Sequence, residues 1–164
     1  MRDIKHIGIL TGGGDCPGLN SVIRAITKTA VLKYGVEVIG FIDGFRGLVE
    51  NNYVQLDLRR VSGIGHTGGT ILGTSNRDNP FNFMTMIQGQ LQPTDQSDRA
   101  ISNIKHLDLD GLIVIGGDGS LNISYKFFER GINIVGVPKT IDNDLSATDI
   151  TFGFITAENT ASEA

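Results

Sequence analysis

Three polar, glycine-rich segments hold the residues best suited to chemistry, and each follows directly on an apolar run. They are Thr11-Gly12-Gly13-Gly14-Asp15-Cys16-Pro17-Gly18, Gly116-Gly117-Asp118-Gly119-Ser120 and Pro138-Lys139-Thr140-Ile141-Asp142-Asn143-Asp144. A glycine turn ahead of a helix lets backbone approach a phosphate closely and aims N–H groups at it. The same three glycines would serve a tight turn needing positive φ, and alone they do not separate the two readings. No Gly-Lys-Ser/Thr follows, so this is not a Walker A loop. The G-x-G-x-x-G spacing of dinucleotide folds is absent too.

The second segment is sharper. A carboxylate between glycines, Asp118, suits a Mg²⁺ ion that also needs room for phosphate oxygens and water. A helix N-cap is the plain alternative for Asp118, but it does not explain the small residues on either side. In the third segment two carboxylates stand two residues apart beside a hydroxyl. Phosphoryl transfer requires a base on the acceptor hydroxyl, and Asp142 or Asp144 supplies one, with the other left for a metal or water contact and Thr140 for a hydrogen bond. An Asp-Asn-Asp turn is the bland reading, preferred singly and displaced by the company of the other two motifs. Arg77 offers a planar fork for donor phosphates, although a lone loop arginine is more often a solvated surface residue. His6, His66 and His106 lack metal-ligand spacing and read as surface or structural. Cys16 has no nearby histidine to make it a nucleophile, and Phe127-Phe128 reads as core.

The elements that must position these residues follow from apolar periodicity. Residues 4–10 form a β-branched run, and a helical stripe follows with Leu19, Val22, Ile23, Ile26, Ala30 and Val31 on one face and Gly35 as its stop. Residues 36–42 read as a second buried strand, ending in a loop Asp43-Gly44-Phe45-Arg46-Gly47. Residues 53–58 alternate weakly. Residues 66–77 read as a glycine-flanked short strand and an exposed loop punctuated by Asn79-Pro80. A helix capped by Thr94 is expected to about Leu107, then a strand at 111–115, a helix at 121–129 with Gly131 as its cap, and a strand at 132–137. Alternating strands and helices with continuous apolar strands predict an α/β fold: a parallel sheet covered by helices on both faces. Ligands then bind outside the carboxyl ends of the strands, where all three motifs gather. Residues 154–164 have helical character but no Gly or Pro stop, so the chain reads as truncated.

The bulk composition narrows the partners. At 164 residues, with 40% hydrophobic and 20% charged residues, the chain is suited to one globular domain. A net charge of −4 argues against nucleic acid or an anionic membrane as the main partner. No apolar run approaches the ~20 residues of a membrane span, and the start has no secretory h-region. The single cysteine excludes an internal disulfide, and the whole fits a reduced cytoplasmic setting. The 22 glycines cluster after apolar runs, where strand-to-helix turns belong.

Taken together, the glycine loop from Thr11 to Asn20, Gly68-Gly69-Thr70-Ile71-Leu72-Gly73-Thr74, the Gly116–Ser120 motif and the Pro138–Asp144 motif resemble the phosphofructokinase family in order and spacing. That resemblance covers essentially the whole chain. It implies the Rossmann-like first domain of the phosphofructokinase fold over residues 1–164, incomplete and without the second, sugar-phosphate domain. It implies Asp142 as the base on the sugar 1-hydroxyl, with Thr140 and Ile141 along the sugar and the transferred phosphoryl, and Asp118 as the Mg²⁺ ligand. Gly14, Gly117, Gly119 and Ser120 would line the nucleotide phosphates, with Arg77 or Asp78 reaching the donor and Phe45 near the adenine. The loop before Arg77 is one residue longer than in the common bacterial form. Gly119 favours ATP, because pyrophosphate-using members usually carry aspartate there; Lys139 resembles the pyrophosphate and plant-type branches, where a lysine would bind the donor by pairing with phosphate in place of lost nucleotide contacts. The expected reaction is transfer from ATP-Mg to fructose 6-phosphate in a cytoplasmic homo-oligomer, a dimer or tetramer. Many bacterial members hold an allosteric nucleotide with basic residues on the first helix; Lys28, beside Arg24, stands where arginine is common, which argues against effector control. A pyrophosphate-dependent enzyme, an NAD- or lipid-kinase-like enzyme and a non-catalytic nucleotide-binding fragment are the rival readings.

Overall fold

The computed structural model describes residues 4–163. Strand β1 (His6–Thr11) lies at the centre of a six-stranded sheet. It is followed by α1 (Leu19–Tyr34), β2 (Glu37–Phe41), α2 (Phe45–Glu50) and β3 (Tyr53–Leu56). A separate hairpin, β4 (Phe83–Ile87) and β5 (Gln90–Thr94), precedes α3 (Ser97–His106) and β6 (Gly111–Gly116). Helix α4 (Asp118–Glu129), β7 (Ile134–Thr140), the short β8 (Phe152–Gly153) and α5 (Phe154–Glu163) complete the order.

The sheet order is β3-β2-β1-β6-β7-β8, with every neighbouring pair parallel except the antiparallel edge β2–β3. The expected parallel sheet is therefore mostly parallel. The chain leaves β1 toward β2 on one side and returns to β6 on the other, so the topology switches direction between β1 and β6. In open α/β sheets that crevice, at the carboxyl ends, is where ligands bind.

Alternation along β1 sends Ile9 to one face and Leu10 to the other, both fully buried. Ile9 packs with Leu19, Val22 and Ile23 of α1, while Leu10 packs with Phe45 and Leu48 of α2, Ala100 and Ile104 of α3 and Phe127 of α4. Burying a side chain of that size contributes about 1.5–3 kcal/mol each, so the two clusters dominate cohesion. Among the described residues no helix is long and apolar enough to cross a membrane.

Several expectations need correcting. The loop foreseen after β2 contains a helix, α2, and the segment ahead of α3 is the β4–β5 hairpin rather than the start of a helix at Thr94. Its turn uses Gln88 and Gly89 at φ 49° and 81°, the left-handed pair that matches strand twist, with a glutamine in place of the usual Asn or Asp. Helix α3 begins at Ser97, whose N–H donates to the Asp95 carboxylate at 2.8 Å. No strand forms at residues 69–72. Instead Leu72 dips into the core against Gly40, and buried Asn20 holds the loop by accepting from Ile71 N (2.8 Å) and donating to Thr67 O (3.0 Å). Phe127 is fully buried as foreseen, but Phe128 is 60% exposed, because adjacent helical positions differ by about 100°. Gly35 does stop α1, at φ 64° with its N–H on Val31 O.

Candidate active site

The carboxyl ends of β1, β6 and β7 open into one cavity of about 700 Å³. Gly13, Gly14 and Asp15 line it from the first loop, residues 117–120 from the second, and Lys139, Thr140, Ile141, Asp142 and Asp144 from the third. The three motifs therefore share one site. Of the residues assigned from sequence to catalysis or to binding the substrate, donor or metal, Arg77 alone is not part of that lining; it is exposed.

The glycine loop is fixed by its neighbours rather than by its own side chains. Gly12 N donates to Ile115 O at 2.8 Å and Gly13 N to Ser75 O at 3.0 Å, while the Thr74 hydroxyl donates to Gly13 O at 2.7 Å. The Thr11 hydroxyl donates to Gly73 O at 2.6 Å. These bonds clamp residues 73–75, reached through a fourth glycine-rich segment, onto the end of β1. Gly13 lies at φ 83°, a conformation L side chains rarely adopt. A Cβ on Gly14 would meet nothing within 4 Å, nor would one on Gly119, so both face open cavity.

Helix α4 begins at the cavity. Its N-cap, Gly117, is extended and makes no side-chain capping bond, so the amides of the first turn remain for water or an anion. Asp118 is the first helical residue, not the cap, and is exposed on the cavity wall. Ser120, by contrast, is buried on a shelf made by two glycines: a Cβ on Gly12 would lie 2.4 Å from its Oγ, and one on Gly116 2.5 Å from its Cβ.

The third loop carries its own scaffold. The Thr140 hydroxyl donates to Asp144 Oδ1 at 2.8 Å and accepts from Asp142 N at 3.0 Å. Asn143, at φ 53°, accepts from Thr151 N at 2.8 Å and so ties the loop to the chain entering β8. Asp142 is left exposed to the cavity with its backbone N–H held on the Thr140 hydroxyl.

Lys139 is buried, and its ammonium donates to Gly14 O at 2.6 Å, bridging the first and third loops. Burial pulls its pKa below the ordinary 10.5, against the opposing influence of Cys16 and Asp15. The unfolded chain therefore binds more protons between the depressed value and 10.5, and stability rises with pH through that window. Lys139→Met should raise the melting temperature at pH 7, with the advantage shrinking as pH nears 10.5. Scanning calorimetry of both proteins at the two pH values checks this. An unchanged or lower melting temperature at pH 7 contradicts it.

Cys16 is buried against Gly153, and burial pushes its thiol up, so it is unsuited to nucleophilic attack. Phe45, expected beside a base, is buried and stacks on Phe127 with ring centroids 6.2 Å apart, reaching the cavity only as part of its wall. Sequence reasoning passed over Asn122, Ile123 and Lys126, which lie one and two turns into α4 and also line the cavity. Their helical spacing from Asp118 was the available signal. Among the described residues no group of three or more His, Cys, Asp or Glu side chains could hold a metal.

The phosphofructokinase family model matches residues 6–164. ATP-dependent 6-phosphofructokinase 2 of Clostridium perfringens is 58% identical over 165 residues, which covers 100% of this chain and 45% of that protein. Pyrophosphate–fructose 6-phosphate 1-phosphotransferase of Streptomyces coelicolor is 49% identical over 159 residues, 96% of this chain and 43% of that one. The crystal structure of Pichia pastoris phosphofructokinase in the T-state superposes with a TM-score of 0.77 at 32% identity, covering 93% of this chain and 17% of that one. The chain thus spans less than half the length of the relatives it matches. With that match running from β1 to the end of the chain, this protein belongs to the phosphofructokinase family.

Proposed function

We propose that this chain is the donor-binding part of an ATP-dependent 6-phosphofructokinase, which transfers the terminal phosphoryl of ATP to the 1-hydroxyl of fructose 6-phosphate. The observation that carries this reading is the single cavity joining Gly14 and residues 117–119 to the carboxylate of Asp142. The open glycines and uncapped α4 amides bind the donor phosphates. Asp142 accepts the proton as the sugar oxygen bonds to phosphorus and ADP departs. Thr140 and Ile141 border the acceptor, and Asp144 holds Thr140 in place. Gly119 and Ser120 belong to the donor side, as do Lys139 through Gly14 and Asp78, which lines the same cavity.

The residues fit a Mg²⁺ of one kind only. Asp118 is an exposed carboxylate beside the open Gly119, suited to an ion that takes its remaining ligands from phosphate oxygens and water. Bound there, the ion would neutralise charge on the phosphates.

ATP rather than pyrophosphate is favoured by the extent of the cavity, whose lining also includes Asn79, Asn122 and Lys126. It is favoured too by the absence of a side chain at Gly119. Gly119→Asp should fold, since its Cβ enters open space, and should raise KM for ATP at least roughly tenfold. Beyond Thr140, Ile141 and Asp142, the groups that bind the sugar phosphate belong in this reading to the second domain and neighbouring subunits of a cytoplasmic dimer or tetramer. The 164 residues alone are accordingly expected to have no measurable kinase activity.

The test offers fructose 6-phosphate and NAD side by side to the complete enzyme carrying this chain, with ATP or pyrophosphate as donor. Fructose 1,6-bisphosphate formed from ATP supports the reading. Turnover of NAD alone overturns it, and turnover with pyrophosphate alone overturns the choice of donor.

A further inference from the structure

Arg46 and Asp78 form an ion pair that the transfer chemistry leaves unused. Asp78 lines the cavity, yet its charged side chain is only 8% exposed. Arg46, in α2, meets it with two prongs: Nε donates to Oδ2 at 3.2 Å and Nη2 to Oδ1 at 3.0 Å. A Ser75 side-chain hydrogen bond joins the same carboxylate, and Ser75 O accepts from Gly13 N. The contacts therefore run without a break from α2 to the glycine loop.

Electrostatics explain why the pair is needed. A carboxylate walled into a cavity that receives polyphosphate repels it unless a cation answers the charge. Burial pushes the Asp78 carboxyl up, but the bonds from Arg46 and Ser75 and the charges of Arg46 and Arg77 outweigh that and hold it below the usual carboxylate range. It stays ionised, so the repulsion is constant and neutralisation must be structural. Arg77 is exposed and outside the lining, which leaves Arg46 as the direct partner.

We propose that the Arg46–Asp78 pair is a positioning device for the phosphoryl donor: it neutralises the cavity wall and pins residues 75–79 against the glycine loop, setting donor affinity. The inference rests on the reading of the cavity as a donor site. Its test is a double-mutant cycle in the complete enzyme with Arg46→Gln, Asp78→Asn and the double variant, with steady-state kinetics for donor and acceptor and a melting temperature for each.

Arg46→Gln, which leaves the Asp78 charge unanswered, is expected to raise donor KM about tenfold, and Asp78→Asn, which removes that charge and loses only the pinning, to raise it less, while kcat and acceptor KM stay within about twofold. The double variant should be no worse than the worse single one, because the two act through one contact. Arg46→Lys, keeping the charge but losing the fork, should recover part of the loss and covers the case in which Asp78→Asn fails to fold. Unmoved donor KM, additive effects, or equal losses in kcat and both KM values overturn the inference while leaving the donor reading intact. No turnover of wild type with either donor overturns both.

Discussion

Replacing Asp142 by asparagine is expected to lower kcat of the complete enzyme by about a thousandfold while both KM values stay within a fewfold. The side chain is exposed and makes no bond within the fold that its loss would leave unpaired, since the loop is held by the backbone N–H of Asp142 on the Thr140 hydroxyl. The melting temperature should therefore not move. Asparagine keeps the shape and removes only the capacity to accept a proton. Asp144→Asn should cost less, about tenfold, because Asp144 acts by accepting from Thr140 at 2.8 Å. Steady-state kinetics separate the two residues. A kcat for Asp142→Asn within tenfold of wild type would remove the base from this position.

The second large effect concerns stability. Gly116→Ala should destabilise the fold by about 2–3 kcal/mol, because the new Cβ would sit 2.5 Å from Ser120 Cβ and 2.8 Å from its Oγ. Neither atom lies at the end of a long side chain, so relief requires α4 to move away from β6 at its first turn. That turn is the phosphate-facing part of the cavity, and donor KM should rise with the loss of stability. Ser120→Gly in the same protein should restore most of the melting temperature, less about 1 kcal/mol for a glycine in a helix. If the double variant melts no higher than Gly116→Ala alone, the shelf is not the source of the strain.

The parts of this molecule that were legible in sequence are those where a residue type has one physical use. Gly13 needs positive φ, Gly116 sits beneath a helix, and both fall straight after an apolar strand, so the loops could be assigned to strand ends and therefore to one edge. Asp118 and Asp142, carried on those loops, followed onto the lining of the same cavity. The α2 helix was hidden because six residues, one of them Gly47, show less than two turns of periodicity. The β4–β5 hairpin was hidden because Gln88-Gly89 is a weak form of the turn signal. The strand expected within residues 66–77 does not form because its apolar residues Ile71 and Leu72 pack into the core from a loop, while Asn20 supplies the hydrogen bonds a strand would have. Arg46 could not be linked to Asp78 at all, because 32 residues and the packing of α2 lie between them. Lys139 was visible as a phosphate-compatible cation, but its bond to Gly14 O depends on how closely β1 and β7 approach β6 from either side.

The account stands on one cavity serving the phosphoryl donor. A crystal structure of the complete enzyme with a non-hydrolysable ATP analogue and fructose 6-phosphate tests it most directly. It should place the analogue's phosphates against the backbone amides of Gly14 and residues 117–119, with the terminal phosphorus between Gly14 and the sugar hydroxyl facing Asp142. An analogue bound elsewhere, or one whose terminal phosphate points away from Asp142, would contradict it.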